Sequence, residues 1–179
     1  KGLGAHLLTV ENPQGVDPLS PENRFILTVG PITGTRMWSQ SRFAVFSKSP
    51  ATGGYGESYC GGTLAPKIKG CGVDAVILEG ACDALTYLRI DENGVTFHDA
   101  SALRGKDAFE TEAAIEHGAG PGSGAMVIGP AGENRVGFAC IKSDRWRSLG
   151  RGGLGTVLGS KGIKGIAFVG NRKADIADE

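Results

Sequence analysis

The chain has 179 residues, and its 19 basic and 19 acidic side chains leave no formal net charge at neutral pH. This balance argues against a general nucleic-acid binder, which needs a basic face, and no apolar run reaches the roughly 18–20 residues of a membrane span. Thirty residues are glycines, gathered at 53–62, 118–124 and 150–162 without the short period of a fibrous protein. These totals predict one globular domain covering residues 1–179.

The first half of the chain begins with leucines at helical spacing, which predict a helix over 2–11. Three prolines then favour an extended, turn-rich connection. Residues 24–30 and 42–49 have the composition of strands. A long glycine-rich loop is expected over 50–62, followed by a short helix over 62–70 and a buried strand over 73–78.

The second half begins with a predicted hairpin, in which strands 85–90 and 95–98 flank Asn93-Gly94. Asp107 and Glu110 resemble a capping box and predict a helix that ends at Gly118. Further strands are expected over 125–128, 136–141 and 166–169, with a helix beginning in 153–162. Because strands and short helices do not alternate strictly, we expect an α+β fold with mixed or antiparallel sheets.

Two stretches of the chain, about 24–80 and 125–170, resemble each other. Gly30-Pro31 is echoed by Gly129-Pro130, and Gly61-Gly62 by Gly152-Gly153. The common unit is strand, loop, strand, glycine-rich loop, helix, strand. We therefore expect two intertwined pseudo-symmetric repeats whose glycine loops face one site.

Each glycine loop is expected to open a helix, an arrangement that presents free N–H groups to an anion. Arg147 and Arg151 follow in the second repeat, and their planar guanidinium groups suit phosphate oxygens. Lys161 and Lys164 extend this basic stretch. Two such loops would hold two phosphates, with a divalent ion offsetting the repulsion between them.

An alternative is a nucleotide-binding module that uses Gly150–Gly155, since this segment satisfies the dinucleotide pattern G-x-G-x-x-G. That pattern should follow directly from a strand, whereas the expected strand ends well before Gly150. The next strand also lacks the acidic residue that such sites use. The three histidines are scattered, and no nucleophile lies at a suitable spacing from a base, so no catalytic residue is predicted.

A set of motifs resembles the N-terminal domain of aldehyde ferredoxin oxidoreductases. The motifs occur in the family's order and cover nearly the whole chain. They are Gly2-Leu-Gly-Ala-His-Leu-Leu8, Asp17-Pro-Leu-Ser-Pro-Glu-Asn23, Gly30-Pro-Ile-Thr-Gly-Thr35, Ser41-Arg-Phe43, Lys48-Ser-Pro50, Thr52-Gly-Gly-Tyr-Gly56, Ile128-Gly-Pro-Ala-Gly-Glu-Asn134 and Gly150-Arg-Gly-Gly-Leu-Gly155.

The resemblance implies an oxidoreductase of anaerobes that binds tungsten, or molybdenum, between two pterin cofactors. Such an enzyme oxidises an aldehyde to a carboxylate and passes electrons through a 4Fe–4S cluster to ferredoxin. The N-terminal domain forms the base on which the two pterins lie. This agrees with the paired glycine loops expected from the repeat.

By motif position, the resemblance implies cofactor contacts at Arg42, Tyr59, Gly61, Arg147, Ser148, Gly150 and Arg151. Arg42 would also lie toward the iron–sulfur cluster. The main chain of Tyr59 and Ser148 would meet a magnesium ion that bridges the pterin phosphates. The family commonly has Asn at the position of Tyr59 and Ala at that of Ser148.

The family's cluster-binding cysteines and its acid and base residues belong to later domains. Cys60, Cys71, Cys82 and Cys140 match no zinc or iron–sulfur spacing. We therefore expect a fragment that is not catalytic alone and that acts with the remaining C-terminal domains, ferredoxin and an aldehyde. A reduced cytoplasmic location and a homo-oligomer are also expected, without nucleic acid or membrane partners.

Overall fold

A computed structural model of the chain describes residues 1–173, so the last six residues of the expected domain lie outside the described residues. Four strands form the first sheet in the order β3-β2-β1-β4, and each neighbouring pair is antiparallel. These strands are β1 (Phe25–Val29), β2 (Arg42–Lys48), β3 (Tyr55–Gly61) and β4 (Ala75–Leu78).

The second sheet has six strands in the order β6-β5-β10-β7-β8-β9. They are β5 (Thr86–Asp91), β6 (Gly94–Asp99), β7 (Gly124–Val127), β8 (Ile141–Ser143), β9 (Arg147–Leu149) and β10 (Ile163–Val169). β10 is parallel to β5, whereas the other neighbouring pairs are antiparallel. The expected α+β class with mixed and antiparallel sheets is confirmed.

The helices are short, and the structure has five α-helices and one 3-10 helix within residues 1–173. They are α1 (Gly2–Glu11), α2 (Leu64–Gly70), α3 (Ala108–Ala119), α4 (Pro130–Glu133), α5 (Leu154–Ser160) and the 3-10 helix Ser101–Leu103. Asp107 caps α3 as expected, because its carboxylate accepts a hydrogen bond from the Glu110 nitrogen at 2.8 Å. None of these helices is long and apolar enough to span a bilayer.

The two sheets contain the same four-stranded arrangement. The order β3-β2-β1-β4 of the first sheet matches β9-β8-β7-β10 of the second. In each arrangement a seven-residue helix, α2 or α5, connects the outer strand to the strand at the opposite side. The second arrangement differs in that the β5–β6 hairpin extends it beyond β10. The limits of the two repeats, 24–80 and 125–170, stay a prediction.

The main core lies between the two sheets and includes both glycine-loop helices. Alternate residues of β1, such as Phe25 and Leu27, point into it, where they meet Leu64 of α2 and Leu158 of α5. The outer face of the first sheet is covered by α1. The outer face of the second sheet is covered by α3. Packed side chains or helices therefore cover most of both sheets, whereas Val95 and Phe97 of the edge strand β6 stay exposed.

Two segments differ from the expectation. The predicted loop 50–62 contains β3, whose inward positions carry the small residues Gly56, Ser58 and Cys60. Gly56 has little room for a side chain, because a Cβ there would lie 3.0 Å from the Cβ of Ser49 and 3.1 Å from the Ser47 carbonyl oxygen. The usual bulky strand signal is therefore missing from this segment.

The predicted strand 136–141 is the second difference, since only Ile141 belongs to β8 and α4 precedes it. Residues 136–140 pack over α5 instead of joining the ladder. The carbonyl oxygen of Ala139 accepts a hydrogen bond from the Gly155 nitrogen at 3.0 Å. A Cβ on Gly155 would lie 2.4 Å from the Cys140 oxygen, so this close packing requires glycine.

Candidate functional site

The site lies where the edge strands of the two sheets, β3 and β9, come together. A cavity of about 770 Å³ opens there, lined by Ser49, Thr52, residues 55–59, Ser148 and residues 150–152. A smaller cavity of about 220 Å³ is lined by Ser39, Ser41, Arg42, Gly61, Gly62 and Arg147. Each cavity has walls from both repeats, so the two glycine loops open at one face of the domain.

All seven residues singled out from the sequence line one of these two cavities. Tyr59, Ser148, Gly150 and Arg151 line the larger cavity, whereas Arg42, Gly61 and Arg147 line the smaller one. The structure thus brings together positions that lie more than 100 residues apart in the chain. The roles of these residues toward a cofactor stay a prediction.

The second glycine loop is held by residues of the first repeat. The hydroxyl of Ser49, which follows β2, donates to the carbonyl oxygen of Gly152 at 2.7 Å. The Ser58 hydroxyl accepts a hydrogen bond from the Arg151 nitrogen at 3.3 Å. Ser49 is fully buried, so these contacts fix the loop against β3.

The first glycine loop is held by a residue of the second repeat. Asp144, which follows β8, accepts hydrogen bonds at one carboxylate oxygen from the nitrogens of Thr63, at 2.8 Å, and Leu64, at 3.3 Å. These nitrogens belong to the start of α2, where an anion was expected to bind. The two loops are therefore not equivalent, because a carboxylate of the chain itself already occupies the helix end of the first loop.

Tyr59, the tyrosine expected to contact the cofactor, is held from the side by the Glu57 carboxylate, which no sequence motif indicated. Glu57 accepts hydrogen bonds from the hydroxyls of Tyr55, at 2.6 Å, and Tyr59, at 3.2 Å. The Lys1 ammonium lies 2.8 Å from the same carboxylate. The hydrogen bond from Lys1, followed by that from Tyr55, holds the pKa of Glu57 below its usual range.

The Tyr59 ring lies on the α1 side of the first sheet. It packs edge-on against Phe46, with ring centroids 6.2 Å apart, and Phe46 itself packs with Leu8 of α1. Burial and the neighbouring Glu57 charge raise the pKa of Tyr59, so its hydroxyl stays protonated. The ring is thus directed to one side of β3, while the main chain of the strand runs along the cavity.

Two lysines of the expected basic stretch lie elsewhere. Lys161 is almost completely buried, and its ammonium donates to the carbonyl oxygens of Pro21 at 2.9 Å and Gly80 at 3.0 Å. Burial lowers the pKa of Lys161 to about 8. Lys164 is also buried and forms an ion pair with Glu133. Neither lysine lines the two cavities, so the exposed cations there are arginines.

The strand directions disagree with a dinucleotide-binding unit at Gly150–Gly155. β9 does lead directly into this loop and α5, as such a unit requires. However, β9 and β10 are separated by β8 and β7, with an antiparallel pairing at every step, so they run in opposite directions. A Rossmann unit needs parallel strands on either side of its helix.

Metal-binding side chains do not gather at this site. Within residues 1–173 no group of three or more His, Cys, Asp or Glu side chains is placed to hold a metal ion. The four cysteines are free, and burial raises the pKa of Cys60 to about 11. The groups available in the cavities are therefore main-chain groups, hydroxyls, arginines and the Glu57 carboxylate, which is paired with Lys1.

Comparisons with known proteins identify the family. The family model described as aldehyde ferredoxin oxidoreductase, N-terminal domain, matches residues 1–170. The chain is 42% identical over 180 residues to the tungsten-containing aldehyde ferredoxin oxidoreductase of Pyrococcus furiosus. It is 43% identical over 180 residues to the protein of the same name from Thermococcus kodakarensis. Each comparison covers 100% of this chain and 30% of the relative.

A solved structure is also similar, namely the active site complex BamBC of benzoyl coenzyme A reductase in complex with 1,5-dienoyl-CoA. It matches with a TM-score of 0.91 and 39% identity, over 96% of this chain and 26% of that chain. The chain spans about 30% of the length of the curated relatives that it matches. It belongs to the family of aldehyde ferredoxin oxidoreductase N-terminal domains.

Proposed function

We propose that this domain is the base of a tungsten, or molybdenum, bis-pterin site in an aldehyde ferredoxin oxidoreductase. The observation that carries the proposal is the convergence of all seven predicted positions on two adjacent cavities between β3 and β9. A cofactor with two similar halves suits a site whose walls come from two similar repeats. The tungsten in the names of the relatives supports the choice of metal.

The charges around the cavities fit an anionic cofactor, since the Glu57 carboxylate in the wall of the larger cavity is already paired with Lys1. Arg42, Arg147 and Arg151 are exposed. No carboxylate within residues 1–173 forms an ion pair with any of them. Arginine is permanently charged, and its planar donors match phosphate oxygens in pairs. These three side chains would hold the pterin phosphates and rings.

The backbone at the site is open for close approach. β3 and β9 are edge strands, which leave part of their N–H and C=O groups without a ladder partner. A Cβ on Gly150 would meet nothing within 4 Å, so space is free above it. The Gly152 N–H, within the part of the chain that the structure describes, donates to no protein acceptor. These groups suit a ligand that binds main chain.

A magnesium ion would bind between the pterin phosphates through the main chain of Tyr59 and Ser148. Both residues line the larger cavity, one on each edge strand. Carbonyl oxygens and phosphates are the hard ligands that magnesium prefers. The placement of the Tyr59 ring beside Phe46 supports a main-chain role.

The remaining steps belong to the rest of the polypeptide, which we propose carries the 4Fe–4S cluster and the substrate pocket. When bound, the metal cofactor supplies the two-electron oxidation of an aldehyde to a carboxylate, and ferredoxin takes the electrons. Arg42 would lie on the side toward the cluster. This domain alone holds and orients the cofactor and is not catalytic, and the assembled enzyme would be a cytoplasmic homo-oligomer. The four free cysteines agree with a reducing compartment.

The experiment is metal and pterin analysis of the full-length protein, purified without oxygen from cells supplied with tungstate and molybdate. The wild type is expected to hold close to two pterins per metal atom. Arg151→Ala and Arg147→Ala are expected to lower metal content, each by about tenfold, since each removes a charge-assisted contact. Arg104→Ala is the matched control, because Arg104 is exposed and lines neither cavity. Metal-free wild type, or unchanged content in both site variants, would overturn the proposal.

A further inference from the structure

One contact between the repeats is unusual because the residue that caps α2 comes from about 80 positions later in the chain. Thr63 occupies the N-cap position of α2, but its backbone is helical and its own side chain does not cap the helix. Asp144 caps the helix instead, because one oxygen of its carboxylate accepts hydrogen bonds from the Thr63 and Leu64 nitrogens. The Thr63 hydroxyl donates to the other oxygen of the same carboxylate. All three contacts join the second repeat to the first.

The turn that presents Asp144 is held in an unfavourable backbone conformation. Asp144 and Arg145 have φ values of 47° and 57°, although neither is glycine. Such positions persist where the surroundings enforce them, and they cluster at functional sites. Here Glu112 of α3 provides the restraint, since both of its carboxylate oxygens lie within 3.2 Å of the Arg145 nitrogen. Glu112 itself is buried.

The same turn leads into β9, which carries the predicted cofactor contacts. Arg147 is three residues after Asp144, and both approach Gly62. A Cβ built on Gly62 would lie 2.1 Å from the Asp144 carboxylate and 3.4 Å from the Cγ of Arg147. The carboxylate and the arginine stem therefore pack directly over the glycine pair of the first repeat. Any shift of Asp144 moves Arg147 relative to Arg42 and Gly61, which share its cavity.

We propose that Asp144 is a positioning residue, which sets the distance between the cofactor contacts of the two repeats by tying the turn before β9 to the start of α2. This inference rests on the proposed function, because it concerns retention of the bis-pterin cofactor. Asp144 does not line either cavity. It acts through Arg147 and the Gly61-Gly62 turn.

The test separates position from charge. Asp144→Asn keeps an oxygen in place without the charge, whereas Asp144→Glu keeps the charge but adds one methylene. In full-length enzyme loaded with tungsten, the rate of tungsten loss during dialysis against a chelator is measured, together with the melting temperature. Asp144→Glu and Asp144→Ala are expected to lose tungsten about tenfold faster than wild type, since misplaced contacts lose a hydrogen-bond-sized free energy. Asp144→Asn is expected to stay within about twofold of wild type.

Asp99→Ala is the matched control. It also removes a carboxylate that accepts hydrogen bonds from a nitrogen and a hydroxyl, but it lies on β6, at the opposite edge of the second sheet from β9, and lines neither cavity. It should lower the melting temperature without changing the rate of tungsten loss. The inference is overturned if Asp144→Glu keeps tungsten as well as wild type. It is also overturned if all variants, Asp99→Ala included, lose tungsten in proportion to their loss of stability. If the full-length wild type holds neither tungsten nor molybdenum, the result instead contradicts the proposed function itself.

Discussion

The hydroxyl of Ser49 lies 2.7 Å from the carbonyl oxygen of Gly152, so the segment after β2 closes the glycine loop before α5. The same hydroxyl also accepts hydrogen bonds from the nitrogens of Ala51 and Thr52, each at 3.2 Å. One buried side chain thus shapes its own turn and holds the glycine loop of the other repeat.

Replacement of Ser49 by Ala is expected to lower the free energy of unfolding of this chain by about 0.5–1.5 kcal/mol, because it removes the hydrogen-bond partner of the Gly152 carbonyl and of two nitrogens. Urea denaturation followed by circular dichroism measures this loss. Ser101→Ala serves for comparison, since Ser101 is exposed and its hydroxyl contacts only its neighbour Asp99. Equal stability of the two variants would contradict the role given to Ser49.

Gly159 in α5 is expected to resist a substitution that normally strengthens helices. Ala in place of Gly stabilises an exposed helix by about 1 kcal/mol, but a Cβ on Gly159 would lie 2.0 Å from the carbonyl oxygen of Gly132. We expect Gly159→Ala to destabilise the chain by about 1–3 kcal/mol, since α4 would have to move.

The control for Gly159 is Gly137→Ala, because a Cβ at Gly137 meets nothing within 4 Å. Its change in unfolding free energy should stay within about 0.5 kcal/mol. Thermal or urea unfolding of both variants checks the pair. A stabilised Gly159→Ala variant would show that α5 does not pack on α4 as described.

Lys161 is expected to make stability rise with pH in the alkaline range. Burial lowers its pKa from 10.5 to about 8, so between these values the folded state binds fewer protons than the unfolded state. The free energy of unfolding therefore increases as pH rises from 8 to 10.5, by up to about 3 kcal/mol. Arg24 adds to the lowering, while Glu22 and Glu79 oppose it.

Comparison of wild type with Lys161→Met in urea at pH 7.5 and pH 10 checks this expectation. The methionine variant should lack the alkaline gain, whereas Lys106→Met, at an exposed position, should keep it. Burial also raises the pKa of Cys60 and Cys71 to about 11, and that effect is common to all three proteins. An identical pH response in wild type and Lys161→Met would contradict the argument.

Glu112 is expected to make the stability of the chain depend on pH in the acidic range. Burial raises the pKa of its carboxyl above the usual value, against the effect of the Arg145 hydrogen bond. The folded state therefore binds more protons than the unfolded state near that pKa, and this contribution to stability is lost as pH rises through it. At neutral pH the ionised, buried carboxylate of Glu112 therefore lowers the free energy of unfolding.

Glu112→Gln removes that charge and keeps an acceptor for Arg145. Relative to wild type, we expect it to be more stable at pH 7 and to lose this advantage as pH falls toward 4.5. Urea midpoints across this range provide the measurement, with Glu110→Gln as the exposed counterpart. A variant less stable than wild type at pH 7 would show that the carboxylate form is needed to hold the turn.

Residues with strong local signals were predicted well, and those that depend on distant contacts were not. The apolar runs around Phe25 and Phe43 predicted β1 and β2 because their burial follows from composition. β3 escaped prediction because its inward residues are small, namely Gly56, Ser58 and Cys60, and do not give the usual strand signal. Asp144 and Glu57 escaped because their partners are Thr63 and Lys1, far away in the chain.

The candidate site shows the same division. The positions lining the cavities could be named from motifs, since glycines and arginines are visible in the sequence. The difference between the two glycine loops could not be predicted, because only the fold shows that the Asp144 carboxylate binds the start of α2. The burial of Lys161 and Lys164 likewise depends on strand packing rather than on neighbouring residues.

The exchange of contacts between repeats has a consequence for how the chain can be divided. Ser49 of the first repeat fastens a loop of the second, and Asp144 of the second fastens a loop of the first. If the chain is divided between β4 and β7, the first fragment loses Asp144, which holds its glycine loop, and keeps Ser49, which holds the loop of the second fragment. The second fragment likewise loses Ser49 and keeps Asp144. We expect such halves to fold only when mixed.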